Sequence, residues 1–465
     1  MAEPIPPGAA RVRMYRQGLG DCFLVTLPGS AGRPFHMLIN CGLHMDAVDD
    51  EAEMMKRVAR DIEATTGGRL DVVVVSHDHW SQVAGFALAR RVFDRIAIGE
   101  VWFGWIEDPA NPRAQSLAAG RDRDLRGLRT LANRLARSAP PGGDGPSMAA
   151  ELSVPLGLFG PRDGAVARRA VEHLKDHPSR PRVRYLRAGD SPVRLSGSAS
   201  AIAYVLGPST DAAPSAGDEP TSLALLSAAG KASAIDGGDV IQSDAFDDRY
   251  RLSPDRAERM PFFRHRYLDE SEAWRRVDQD WMAGGASLAL GLVGRCINVS
   301  LALAIEVEPG GAVLLFPGDA QTEEWAAWTR LRWRAEGGTG QPVTGAELLA
   351  RTVLYQVGHH GAARAAPGSE GLNLMTNPEL VAMLPVDQEF AEKSGWRMPD
   401  PRLLDRLLLA TRGRLLRSDR PFPGRPEFAA AGEWNAFREA VVFDPDGLRV
   451  DFRLGSTRSP SPSTF

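Results

Sequence analysis

Two histidines, His77 and His79, stand directly after the run of four consecutive valines at 72–75. A run of β-branched residues reads as a fully buried strand. Alternate residues at a strand end project to one side, so the two imidazoles can converge on one point. Two later apolar runs also close on ligand-type side chains. Leu315-Phe316-Pro317-Gly318 leads into Asp319, and Val357-Gly358 leads into His359 and His360. Two imidazoles, a carboxylate and a further imidazole suit zinc, and also manganese. Three strand exits deliver them, so one shared sheet edge is needed to assemble the site.

The elements that must position these residues can be traced along the chain. Residues 11–15, 21–27 and 35–40 read as three strands of an antiparallel meander with glycine-bearing connections. Met54, Met55, Val58 and Ile62 are spaced as one face of a helix that ends at Gly67-Gly68. After the valine strand come a helix over 83–93 and a strand over 96–106, a β-helix-β alternation that predicts a layered α/β sheet. A helix over 166–175 carries His173, and with His177 just beyond it both histidines read as surface residues. Residues 183–186, 193–195 and 202–206 read as strands of a second sheet. Strands over 300–307, 312–316 and 353–357 follow, with a Trp-rich helix running to about Trp333 between the last two. A terminal hairpin turns at Pro445-Asp446-Gly447, and the Ser/Pro-rich stretch 456–465 reads as a loose tail.

At 465 residues the chain is long enough for one elaborated domain or two smaller ones. A net charge of -4 argues against bulk electrostatic capture of nucleic acid. A local exception is the amphipathic stretch 114–137, where Arg121, Arg123, Arg126, Arg129, Arg134 and Arg137 share a face that nucleic acid could contact. Cys22, Cys41 and Cys296 lack CxxC spacing and read as buried apolar residues of a reducing compartment. The N-terminus has no apolar signal core, and no window approaches a membrane span, so no membrane contact and a cytoplasmic location are expected.

Six segments together resemble the metallo-β-lactamase fold, in the branch similar to the soluble domain of the bacterial competence DNA-uptake channel. They are Gly18-Leu19-Gly20-Asp21-Cys22-Phe23-Leu24, Leu38-Ile39-Asn40-Cys41-Gly42, Ser76-His77-Asp78-His79-Trp80, Asn298-Val299-Ser300-Leu301, Leu315-Phe316-Pro317-Gly318-Asp319-Ala320 and Val357-Gly358-His359-His360-Gly361. The resemblance implies an αββα sandwich over 11–365, interrupted by a helical insertion or lid at about 208–295 and followed by a C-terminal helix and strand extension over 366–455. It also implies roles. His77 and His79 would hold a first metal, Asp319 would bridge to a second, and His359, or in its place His360, would serve that second ion.

The departures from the family pattern decide the functional expectation. Ser81 and Gln82 occupy the Asp and His positions of the second metal, and Asn40 replaces a supporting Asp. Serine and glutamine are weak neutral ligands. Gly207-Pro208 stands where the fold often has a further histidine. The expected protein therefore has a degenerate dinuclear centre, holds one zinc or manganese ion at most, or none if the site is fully lost, and is impaired in hydrolysis. It would act as a scaffold or sensor with a protein partner or a second copy of itself. The alternative is a hydrolase of phosphodiesterase or nuclease type, with one metal on His77, His79 and Asp319 and support from Glu107, Asp108, Asn298 or His360.

Overall fold

The computed structural model describes residues 5–30, 32–44, 48–122, 165–210, 256–257, 259–266, 269, 299–334, 341–363, 365–368, 370–393 and 396–455. The chain divides into two compact units, Met1–Gly120 with Leu156–Ala213 and Arg295–Phe465, and Arg121–Pro155 with Pro214–Gly294. In the second unit the described residues include the short helix Pro261–Arg266, where Phe262 and Phe263 meet edge to face. The arginine-rich face beyond Asp122, Cys296, Asn298 and the tail 456–465 lie outside the described residues, as does most of the stretch 208–295.

The first unit is mixed α/β. Its strands are β1 (Ala10–Tyr15), β2 (Phe23–Leu27), β3 (Phe35–Ile39), β4 (Arg69–Val74), β5 (Ala97–Gly104), β6 (Arg182–Leu186), β7 (Val193–Arg194), β8 (Ile202–Gly207) and β9 (Ala302–Glu306). Then come β10 (Val313–Phe316), β11 (Arg332–Trp333), β12 (Val343–Thr344), β13 (Thr352–Gln356), β14 (Val381–Leu384), β15 (Leu415–Arg417), β16 (Val441–Phe443) and β17 (Arg449–Leu454). An eight-stranded sheet runs β16-β17-β1-β2-β3-β4-β5-β6, and a seven-stranded sheet runs β15-β14-β13-β10-β9-β8-β7. A small pair, β11-β12, stands apart.

Side-chain alternation explains the layering. Val72 and Val74 of β4 belong to a core shared by the two sheets, together with Phe23, Val205, Leu303 and Leu314. Val73 and Val75 point the other way, into a core with Met55 and Val58 of α1 (Val48–Thr66), Val83 and Phe86 of α2 (Trp80–Leu88), and Leu174. On the outer face of the second sheet Trp325, Trp328, Leu348 and Leu407 close a third core. The end of β4 is buried on both faces, which is why it reads as a valine run rather than an alternation; the buried Asp71 nearer its start is paired with Arg69 and His36 N.

Three local expectations are corrected. β6 pairs in parallel with β5, so it belongs to the first sheet and not the second. The single helix over 83–93 is two, α2 and α3 (Arg90–Phe93), with Ala89 between them. The Trp-rich helix stops at Trp328, and Trp333 lies in β11. The terminal hairpin forms as β16 and β17, and β17 extends the first sheet by pairing with β1.

Candidate metal centre

In the first sheet β3, β4, β5 and β6 are parallel, and in the second β10, β13, β14 and β15 are parallel. Parallel strands end together, so each group presents its carboxyl ends along one edge, the usual place for a site in such sheets. Asn40 leaves β3, His77 and His79 leave β4, Asp319 leaves β10 and His359 leaves β13. The two edges are tied directly. Leu301 N donates to Ser76 O at 2.8 Å, and Gln356 Nε2 donates to Asp21 Oδ2 at 2.9 Å.

Close backbone approach brings these loops together. Gly318 has φ +56, and a Cβ there would lie 2.9 Å from Ser300 Cβ and 3.0 Å from Ser76 Cβ. Only glycine fits that turn without pushing the loops apart. A Cβ on Gly42 would lie 2.1 Å from the Ser81 backbone, so the loop after β3 rests directly on the start of α2.

The structure brings His77, His79 and Asp319 together: their ligand atoms lie within 4.8 Å of one another, and all three residues are buried. The two rings meet edge to face with centroids 4.3 Å apart. His77 Nδ1 lies 3.1 Å from both Ser76 Oγ and Ser300 Oγ. Those hydroxyls already accept from Asn40 Nδ2 and Asp319 N, respectively, which fixes the ring orientation. His77 Nε2 makes no hydrogen bond of good geometry, and its nearest anion is Asp319 Oδ2 at 3.3 Å. A buried ring nitrogen facing a carboxylate with no hydrogen bond of its own is able to serve as a metal ligand. Burial opposes ionisation of Asp319, but the facing His77, and then His359 and His360, outweigh it and hold the carboxylate well below the usual range.

The neighbouring group around Asn40, Gln82 and Asp21 has different chemistry. Asn40, in the left-handed region at φ 57, donates from Nδ2 to Gln82 Oε1 at 2.7 Å, while its Oδ1 accepts from Ser76 N at 2.8 Å. Asp21 is fully buried beside this pair, and Gln356 donates to it. Burial, then the negative charge of Asp319, raise the Asp21 pKa well above the carboxylate range; hydrogen bonds from Asn40, Gln82 and Gln356 oppose that only in part. Ser81 contributes its backbone carbonyl, which accepts from Asp21 N at 2.9 Å.

His359 and His360 both adopt the left-handed conformation, at φ 45 and 50, which is costly for residues with a Cβ. The turn lets His359 N donate to Asp319 Oδ1 at 3.1 Å, but the His359 ring does not join the three-ligand group. His360 Nδ1 lies 2.9 Å from Pro385 O and 3.8 Å from Asp21 Oδ1. Burial lowers the pKa of both rings. Glu107 packs near Lys175, and Asp108 accepts from Ala110 N, so neither belongs to the three-ligand group.

Ser76, Ser300, Asp21 and Gln356 escape a search for ligand-type residues because they act through hydrogen bonds. Three of them sit in the conspicuous motif segments, and that was the available signal. Glu324 is a further surprise. It is buried against Gly207 at the exit of β8 and accepts from Ser209 Oγ at 3.0 Å. Burial raises its pKa to about 7 despite the Ser209 hydrogen bonds. His173 and His177 are not surface residues: their side-chain exposure is 10% and 1%.

No protein-family model matches the chain, and no curated protein matches its sequence. Among the described residues, no helix is long and apolar enough to cross a membrane.

Proposed function

We propose that this chain is a metallo-β-lactamase-fold protein, similar to the soluble domain of the competence DNA-uptake channel, whose dinuclear centre has lost its second half. It holds one divalent ion, zinc or manganese, on His77, His79 and Asp319, and serves as a scaffold or sensor in a protein assembly. The order of the six motif segments supports the fold assignment, as do the two sheets with helix-lined cores on their outer faces. One observation carries the functional reading. The Asn40 amide is hydrogen-bonded to Gln82 Oε1, so the residue at a second-ion ligand position is engaged in a neutral network.

The donor set fits one ion: two imidazoles and an ionised carboxylate, with His77 Nε2 aimed at Asp319. When bound, the ion supplies Lewis acidity. The protein's own contribution is orientation. Ser76 and Ser300 set the His77 ring, and His359 N steadies Asp319.

A second reading, a mononuclear hydrolase of phosphodiesterase or nuclease type, is favoured by the ligand number. Catalytic zinc sites keep three protein ligands and an open position, whereas structural sites close with four. Metal content and hydrolysis of an activated phosphodiester, compared between wild type and His77→Ala, separate the two. The degenerate reading expects His77→Ala to lose one metal equivalent and hydrolysis to stay at background in both proteins. Hydrolysis abolished by His77→Ala would establish the second reading, and a loss of two equivalents would overturn the single-ion centre.

A further inference from the structure

A second group of ligand-type side chains lies on the helical side of the first sheet. α3 ends at Asp94, and the helix Ala165–Lys175 carries His173 in its last turn, with His177 four residues further on. Ligand atoms of Asp94, His173 and His177 lie within 4.8 Å of one another. His173 Nε2 is 2.7 Å from Asp94 Oδ1, and His177 Nε2 is 3.1 Å from the carbonyl oxygen of Phe93. We propose that Asp94, His173 and His177, with the Phe93 carbonyl, form a site for one borderline first-row divalent cation of the Zn2+ type, independent of the centre at His77.

Donors about 2.05 Å from a tetrahedral ion stand ~3.3 Å apart. The 3.1 Å between His177 Nε2 and Phe93 O is close to that, whereas the 2.7 Å between His173 Nε2 and Asp94 Oδ1 is a hydrogen bond that must widen when an ion replaces its proton. One carboxylate and two imidazoles supply borderline donors, and the four-residue spacing of the histidines at a helix end lets both rings reach one point. The C-terminal end of that eleven-residue helix also favours positive charge. Burial lowers the proton affinity of His177, which keeps its ring neutral.

His177 has a partner that can choose the tautomer. Its Nδ1 lies 2.8 Å from Ser179 Oγ and 3.2 Å from Ser179 N. With Nδ1 accepting from Ser179 N, the Nε2 proton points at Phe93 O, which is the ion-free arrangement. With Nδ1–H donating to Ser179 Oγ, Nε2 offers a lone pair alongside the Phe93 oxygen, and the two repel unless a cation lies between them. Ser179 Oγ is held for that role, since Ile98 N donates to it and it donates to Ile98 O. Asp94, 32% exposed, gives the ion a way in, with Arg90 Nε 3.8 Å from its other oxygen.

The test uses the full chain stripped of metal, in a His77→Ala background that removes the first centre, with Zn2+ alone as the probe. One equivalent is expected to bind and to raise the melting temperature. His173→Ala should remove it. Asp94→Asn keeps the side-chain volume and should weaken binding, and Ser179→Ala, which removes no ligand but only the hydroxyl beside His177 Nδ1, should weaken it by about tenfold. No uptake by the His77→Ala protein, or uptake unchanged by both His173→Ala and Asp94→Asn, would overturn the site.

Discussion

Two neighbouring groups of buried side chains, both gathered from strand ends of the two sheets, follow opposite rules. In one, His77, His79 and Asp319 face one another with a ring nitrogen left over for an ion. In the other, Asn40, Gln82 and Gln356 are neutral amides around Asp21, whose burial and neighbouring charge favour its protonated form. A buried carboxylate is tolerated where cationic or metal-binding partners compensate it; where they are gone, the group neutralises instead. The difference teaches that neighbouring groups on one set of strand ends can hold charge in opposite ways: Asn40 donates to Gln82, Gln356 donates to Asp21, and the Ser81 carbonyl accepts from Asp21 N.

Three measurements test this contrast, from the largest expected effect downward. Introducing ligand chemistry with Ser81→Asp and Gln82→His should add one further, weaker metal equivalent to the wild-type count, read by titration of the chelator-stripped protein. A count that does not rise would show that the amide network itself, and not only the missing ligands, closes that group.

Glu324, buried at the exit of β8, offers the next test. Its folded pKa of about 7 lies above its ordinary 4.5, so the folded state holds this proton more tightly than the unfolded chain does. Stability should therefore fall as pH rises from 4.5 to about 7 and level off above. The span corresponds to ~3 kcal/mol, and Glu324→Gln should flatten the profile in urea denaturation across that window. A profile unchanged by the substitution would place the titration elsewhere. The smallest effect is expected for Ser300→Ala, which removes one of the two hydroxyls holding His77 Nδ1 and should weaken metal binding by about tenfold with no loss of stoichiometry.

Much of the site's location was legible from local pattern. The valine run marked a strand buried on both faces, and its exit histidines, together with Asp319, converge as alternation at a strand end requires. His359 was harder. Its strand exit was readable, but the left-handed turn directs the backbone N–H, not the ring, to Asp319. His173 and His177 read as exposed because nothing near them in the chain shows that Phe93 and Asp94 pack against that helix end.

The sequence by itself determined that His77, His79, Asp319 and His359 are ligand-type residues and that strand ends would carry them, since both depend on side-chain chemistry and on periodicity within a few residues. Only the tertiary structure decided which of these side chains meet as a group that could hold a metal and which pair with one another instead. That choice rests on Asn40 meeting Gln82, on Gln356 meeting Asp21 across 335 residues, and on Ser300 meeting His77 across 223. Such pairings follow from sheet order and loop approach, which no local pattern of residue types encodes.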